Sequence, residues 1–175
     1  MKTKLFYLLV VTFITVTGIA RACGEPAQIP NRLIDFPAFL RDAQEVQAIR
    51  AAHRLTEAQF RKALSEPGVV ILDARSAAMF KLRHIKGAVN LSLPDFTEAS
   101  LARTIPAKNT KILIYCNNNF LGSQTAFVSK SPAASLNIST YVNLHTYGYT
   151  NVYELGPLLD VKTSQLPFEG AEVAN

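Results

Sequence analysis

Cysteine is scarce in this chain, with two among 175 residues, and tryptophan is missing altogether. Two thiols cannot build a disulfide framework, so a chain of this length has to be held together by an apolar core. No C-x-x-C or H-E-x-x-H spacing occurs, which argues against a zinc site and against a dithiol redox enzyme. No organic or metal cofactor is indicated. The sequence also lacks internal repeats, low-complexity tracts and any basic stripe with interleaved aromatics. One domain is therefore expected, with no nucleic-acid partner.

No apolar run reaches the roughly 18 residues that a bilayer span needs. The apolar run from Leu5 to Val16 follows Met1-Lys-Thr-Lys4 and precedes Thr17-Gly-Ile-Ala-Arg-Ala22. That order is the pattern of a secretory signal peptide over residues 1–22. Small residues at Ala20 and Ala22 direct cleavage between Ala22 and Cys23, which makes the mature protein periplasmic or secreted. A cysteine in first position is also where bacterial lipoproteins carry their lipid. Here Ala20-Arg21-Ala22 departs from the usual Leu-Ala-Gly, so membrane attachment is expected only if Cys23 is lipidated. Lys2, Lys4 and Arg21 leave with the signal, while all thirteen acidic residues lie beyond it, so the mature charge falls from +5 to about +2.

Residues 23–54 read as an N-terminal extension, in which Phe36, Phe39, Leu40, Ala43 and Val46 form one stripe of a helix reaching about Arg50. A second helix begins at Thr56, where Thr56 and Gln59 make a capping-box pair, and ends near Glu66-Pro67-Gly68. Short apolar runs follow at Val69 to Leu72, Ala88 to Leu91, Lys111 to Tyr115 and Val152 to Leu155. Helical patterns around Ser76 to Leu82, Thr97 to Thr104 and Ser135 to Tyr147 separate them. Such alternation predicts an α/β fold with an open parallel sheet flanked by helices. Ligands bind beyond the carboxyl ends of such strands, where Asp73 and Cys116 stand. A lone interior cysteine is either buried and inert or kept for its chemistry.

Four segments, Val69-Val-Ile-Leu-Asp-Ala-Arg75, His84-Ile-Lys-Gly-Ala-Val-Asn90, Ile112-Leu-Ile-Tyr-Cys116 and Gly148-Tyr-Thr-Asn-Val-Tyr153, resemble the rhodanese-like family in order and spacing. The likeness runs from Leu55 to Leu155, and the domain is set at residues 55–170. It implies a sulfurtransferase without cofactor, in which Cys116 takes sulfane sulfur from a small donor as a persulfide and passes it to a thiol acceptor. It further implies that Asp73 and Arg75 share an ion pair supporting the active-site loop, and that His84 positions a loop and strand. A zinc site or a Cys-His hydrolase built on His84 is set aside. His53 and His145 read as packing or surface residues on helices, and the sequons at Asn90 and Asn137 as unmodified.

The chain departs from this family after Cys116. Asn151 lies 35 positions further on, where the resemblance implies roughly twenty, so residues 117–134 carry about fifteen extra residues. No arginine lies in that stretch, which removes the clamp that phosphatase or arsenate-reductase chemistry requires. The expected active-site loop comprises Asn117, Asn118, Asn119, Phe120 and Lys130. The asparagines are suited to left-handed or turn backbone around the sulfur, Phe120 and Phe127 to packing the insert down as a lid, and Lys130 to folding back toward a bound anion. The competing expectation is a non-catalytic module whose enlarged loop recognises another exported protein.

Overall fold

The computed structural model describes residues 29–105 and 107–173. Contacts divide the chain into two compact units, Met1–Leu33 and Ile34–Asn175. The signal peptide, its cleavage point and Cys23 lie outside the described residues, and every element below belongs to the second unit. In chain order these are α1 (Phe36–Arg50), a 3-10 turn over Ala51–His53, β1 (Arg54–Leu55), α2 (Glu57–Ala63), β2 (Val70–Asp73), α3 (Ala77–Leu82), β3 (His84–Ile85) and β4 (Val89–Asn90). They continue as α4 (Glu98–Thr104), β5 (Ile112–Tyr115), β6 (Phe120–Leu121), α5 (Leu136–Thr146), β7 (Val152–Leu155), β8 (Leu159–Asp160) and β9 (Phe168–Glu169). Five parallel strands in the order β1-β7-β5-β2-β4 make the main sheet. The expected α/β class, with its parallel sheet, flanking helices and N-terminal helix, is what the chain adopts.

Strand side chains alternate between faces with a period of two, and here both faces are buried. Leu72, Ile112, Ile114 and Val152 join one core with Val46 of α1 and Tyr141 and Val142 of α5. Ile71, Leu113, Tyr115 and Leu155 join a second core with Phe60 of α2 and with Phe120 and Phe127. A strand clad on both faces has no polar side, which is why these runs are continuously apolar. The same parity sets the chemistry that follows. Cys116 continues the even-numbered face of β5, toward α1 and α5, whereas Asp73 shares the opposite face with Ile71 and Tyr115.

Local signals start the helices. Thr56 and Gln59 form the reciprocal capping box of α2, Thr97 and Ser100 that of α4, and the Asp35 carboxylate accepts from the Ala38 amide at the start of α1. The helix expected to run to Glu66 stops at Ala63, and the chain turns back through Gly68, whose φ of +77° leads into β2. The strand expected over Ala88 to Leu91 pairs only at Val89 and Asn90. The two-residue strands β1, β3, β6, β8 and β9 are too short to show a periodicity and form because a partner lies beside them.

Candidate active site

Cys116 follows β5 directly and caps a 3-10 turn over Asn117–Asn119. Its N–H donates to Asn119 Oδ1 at 2.9 Å and its carbonyl accepts from the Asn119 backbone N–H at 3.1 Å, so the Asn119 side chain and backbone both close the turn onto Cys116. The Ser135 hydroxyl stands 3.5 Å from Sγ. Each asparagine ties down part of the long segment. Asn117 donates to the Val128 carbonyl, and Asn118 pairs both backbone groups of Lys130 at 2.8 and 2.9 Å. Asn119 donates to the carbonyls of Leu155 (2.8 Å) and Pro157 (3.2 Å) and accepts from Asn137 at 3.1 Å. They take the turn option open to asparagine: among the described residues only glycines have positive φ.

The Cys116 residue is 1% exposed, yet it lines a cavity of about 380 Å³ together with Ser135, Asn137, Arg50, Arg54 and Glu154. Asn137 Oδ1 is buried there without a partner. The two cations in this wall are Arg50, at the end of α1, and Arg54 of β1. Lys130, expected to turn toward an anion at the thiol, instead lines a separate cavity of about 490 Å³ with Arg75, Met79 and Asn117. Asn118 pins the Lys130 backbone, so its side chain departs on the other side of the insert. Phe120 and Phe127 likewise do not cover the thiol as a lid. Their rings, 4.4 Å apart, are buried on the opposite face against Phe168, where they anchor the insert in the second core.

On that opposite face Asp73 and Arg75 form a buried ion pair. Arg75 Nε donates to Asp73 Oδ1 at 2.9 Å, and Nη2 lies 2.5 Å from Oδ2. The Tyr115 hydroxyl donates to Asp73 Oδ2 at 2.6 Å and accepts from the Ile85 amide. Arg75 also donates to the carbonyls of Ala126 (2.7 Å) and Arg83 (2.8 Å), and its guanidinium sits 4.4 Å above the Phe127 ring. One side chain thus joins the sheet, the end of α3 and the insert. Burial opposes the Arg75 charge, but Asp73 outweighs it, and the guanidinium titrates above its usual range.

Two tyrosines carry a pH signature. Burial pushes the Tyr115 hydroxyl well above its ordinary value of 10, and the Asp73 charge adds to this. Tyr141 rises to about 12, through burial and then the Glu154 charge. A group whose folded value exceeds its unfolded one stabilises the fold fully below the unfolded value and loses that contribution as pH climbs toward the folded one. Stability is therefore expected to decline from about pH 10 upward. A pH series of thermal melts checks this, with Tyr115→Phe expected to show a shallower decline and an unchanged slope contradicting the assignment.

His84 donates from Nδ1 to the Phe80 carbonyl at 2.8 Å and stacks on the Phe80 ring. It helps place β3 against β9 and is not among the residues lining the Cys116 cavity. Among the described residues no group of three or more His, Cys, Asp or Glu is placed to hold a metal. His53, in the 3-10 turn, bonds the Val152 carbonyl and stacks on Tyr153, and His145 meets Glu45 at 3.0 Å. The Asn90 amide is spent on the carbonyls of Asp73 and Arg75, and Asn137 is 4% exposed, so the folded chain presents neither sequon freely.

The rhodanese-like domain family matches residues 56–156. This chain belongs to that family. Thiosulfate sulfurtransferase PspE of Escherichia coli (strain K12) is 27% identical over 90 residues, covering 51% of this chain and 71% of that protein. Among solved structures, the Alr3790 protein of Anabaena sp. is 24% identical with a TM-score of 0.46, over 68% of this chain and 94% of that one. A rhodanese with anions from E. coli is 23% identical with a TM-score of 0.40, over 59% and 99% of the two chains. The rhodanese-like match begins after Arg50 and Arg54 and contains the whole insert. The cations beside Cys116 therefore come from chain outside the matched domain, and no local sequence signal marks them.

Proposed function

We propose that this rhodanese-like protein is an exported persulfide-forming sulfurtransferase with Cys116 as its nucleophile. The observation that carries the reading is the setting of Cys116: a free thiol at the carboxyl end of the central strand, in a cavity wall, with the Ser135 hydroxyl 3.5 Å from Sγ. A hydroxyl beside the sulfur can donate to the thiolate, the form that reacts. The reaction balances without a cofactor. With thiosulfate as donor, the thiolate attacks the outer sulfane sulfur, a S–S bond forms to Cys116, and the donor S–S pair leaves with sulfite. An acceptor thiolate then attacks the terminal sulfur and leaves as a persulfide, returning the Cys116 thiolate. The Ser135 hydroxyl, 3.5 Å from Sγ, is placed to donate to either sulfur anion. Burial of the thiol suits a small donor, which enters a cavity that a folded protein surface cannot.

The test is intact-mass analysis after thiosulfate or polysulfide treatment, wild type beside Cys116→Ser. A gain of one sulfur atom, removed by reductant and lost in the variant, is the expected result. No gain in the wild type with either donor rejects the enzyme reading and leaves the binding module built on residues 117–134. The cellular location is read from residues 1–22 and is tested by fractionation.

A further inference from the structure

Glu154 is 1% exposed, and two arginines converge on its carboxylate. Arg50 takes it bidentately, through Nε on Oε2 and Nη2 on Oε1, both at 2.8 Å. Arg54 adds Nε on Oε1 at 2.9 Å and donates Nη2 to the Gly156 carbonyl at 2.9 Å. The β1·β7 register sets Arg54 beside Glu154, and Glu154 lies on the same face as Val152, turned toward α1. One carboxylate is neutralised by one arginine. Here two cations meet one anion, so the trio keeps one positive charge in the wall of the Cys116 cavity. Neither Nη1 has a protein partner among the described residues. The Arg54 side chain is half exposed, the Arg50 side chain 30% exposed, and Glu154 holds both in place.

We infer that Arg50 and Arg54 are the anion-recognition residues of this site, replacing from outside the matched domain the arginine that residues 117–134 lack. They would hold the oxyanion end of a sulfane donor such as thiosulfate or a thiosulfonate while its outer sulfur faces Cys116. An arginine fork suits a planar or tetrahedral oxyanion, and Glu154 pre-orders the two side chains, so little rotamer freedom is left to lose on binding. The consequence is selectivity: anionic donors are preferred over uncharged ones. This rests on the persulfide reading of Cys116.

Two measurements on the full mature chain separate the two ideas. The first compares kcat/KM for thiosulfate with that for an uncharged organic trisulfide in wild type, Arg54→Gln and Arg54→Lys, each checked for an unchanged melting curve. The expected result for Arg54→Gln is a selectivity ratio about 10-fold to 100-fold lower, mainly through KM for thiosulfate, and partly restored in Arg54→Lys. Equal losses with both donors, or no loss with thiosulfate, overturn the assignment. The second is calorimetric titration of thiosulfate into Cys116→Ser, where no sulfur can be transferred, with and without Arg54→Gln. Binding that weakens about tenfold supports the anion site even if the wild type transfers no sulfur, in which case only the transfer reading fails. Binding indifferent to Arg54 overturns the anion site while leaving transfer by Cys116 intact.

Discussion

Replacing Arg75 with alanine is expected to destabilise the protein by about 3–5 kcal/mol, the usual cost of leaving one half of a buried ion pair behind. Asp73 is 0% exposed, and without Arg75 its remaining side-chain partner is the Tyr115 hydroxyl. The Ala126 and Arg83 carbonyls lose their donor as well, and the Phe127 ring loses the cation above it. At this chain length such a loss lowers the melting midpoint by about 10 °C or more. Cys116 projects from the opposite face of the sheet, so persulfide formation measured well below the midpoint should survive. Replacing both members of the pair, Asp73→Asn with Arg75→Met, should cost less than the two single changes added together, because no uncompensated charge stays buried. A loss below about 1 kcal/mol in Arg75→Ala, by urea or thermal melts, contradicts the role assigned to the pair.

Asn119→Ala is expected to damage the site itself. Its amide serves four partners: the Cys116 N–H, the Asn137 amide, and the carbonyls of Leu155 and Pro157. Losing them orphans buried groups at about 1–3 kcal/mol each, and the turn that seats Cys116 is no longer closed from below. The rate of persulfide formation should fall about tenfold or more, equivalent to a barrier about 1.4 kcal/mol higher. Asn118→Ala is the comparison, since Asn118 lines the same cavity but its hydrogen bonds go to the Lys130 backbone and leave those of Cys116 in place, so a smaller loss is expected. A full rate in Asn119→Ala at a temperature where it stays folded would show that the turn does not depend on this side chain.

Much of the fold could be read from the chain alone. The continuous apolar runs ending at Leu72, Tyr115 and Leu155 specify strands covered on both faces, because no polar alternation is left for solvent. The pairing of Thr56 with Gln59 marks a helix start, because a capping box is closed within one turn. The place of Cys116 at a strand end follows from the same runs, and the order of four short segments led to the family that residues 56–156 match. These are local properties, decided within a few residues. What completes the Cys116 cavity is not local. Arg50 and Glu154 stand 104 residues apart, and they meet because β1 joins the sheet next to β7, and because the period of two turns Glu154 and Cys116 toward the helix that carries Arg50. Lys130 is nearer to Cys116 in the chain, yet its backbone is pinned by Asn118 and its side chain lines the other cavity. Charge near a cysteine in sequence is a poor guide to charge near its sulfur, because strand register and facial parity are set only when the sheet assembles.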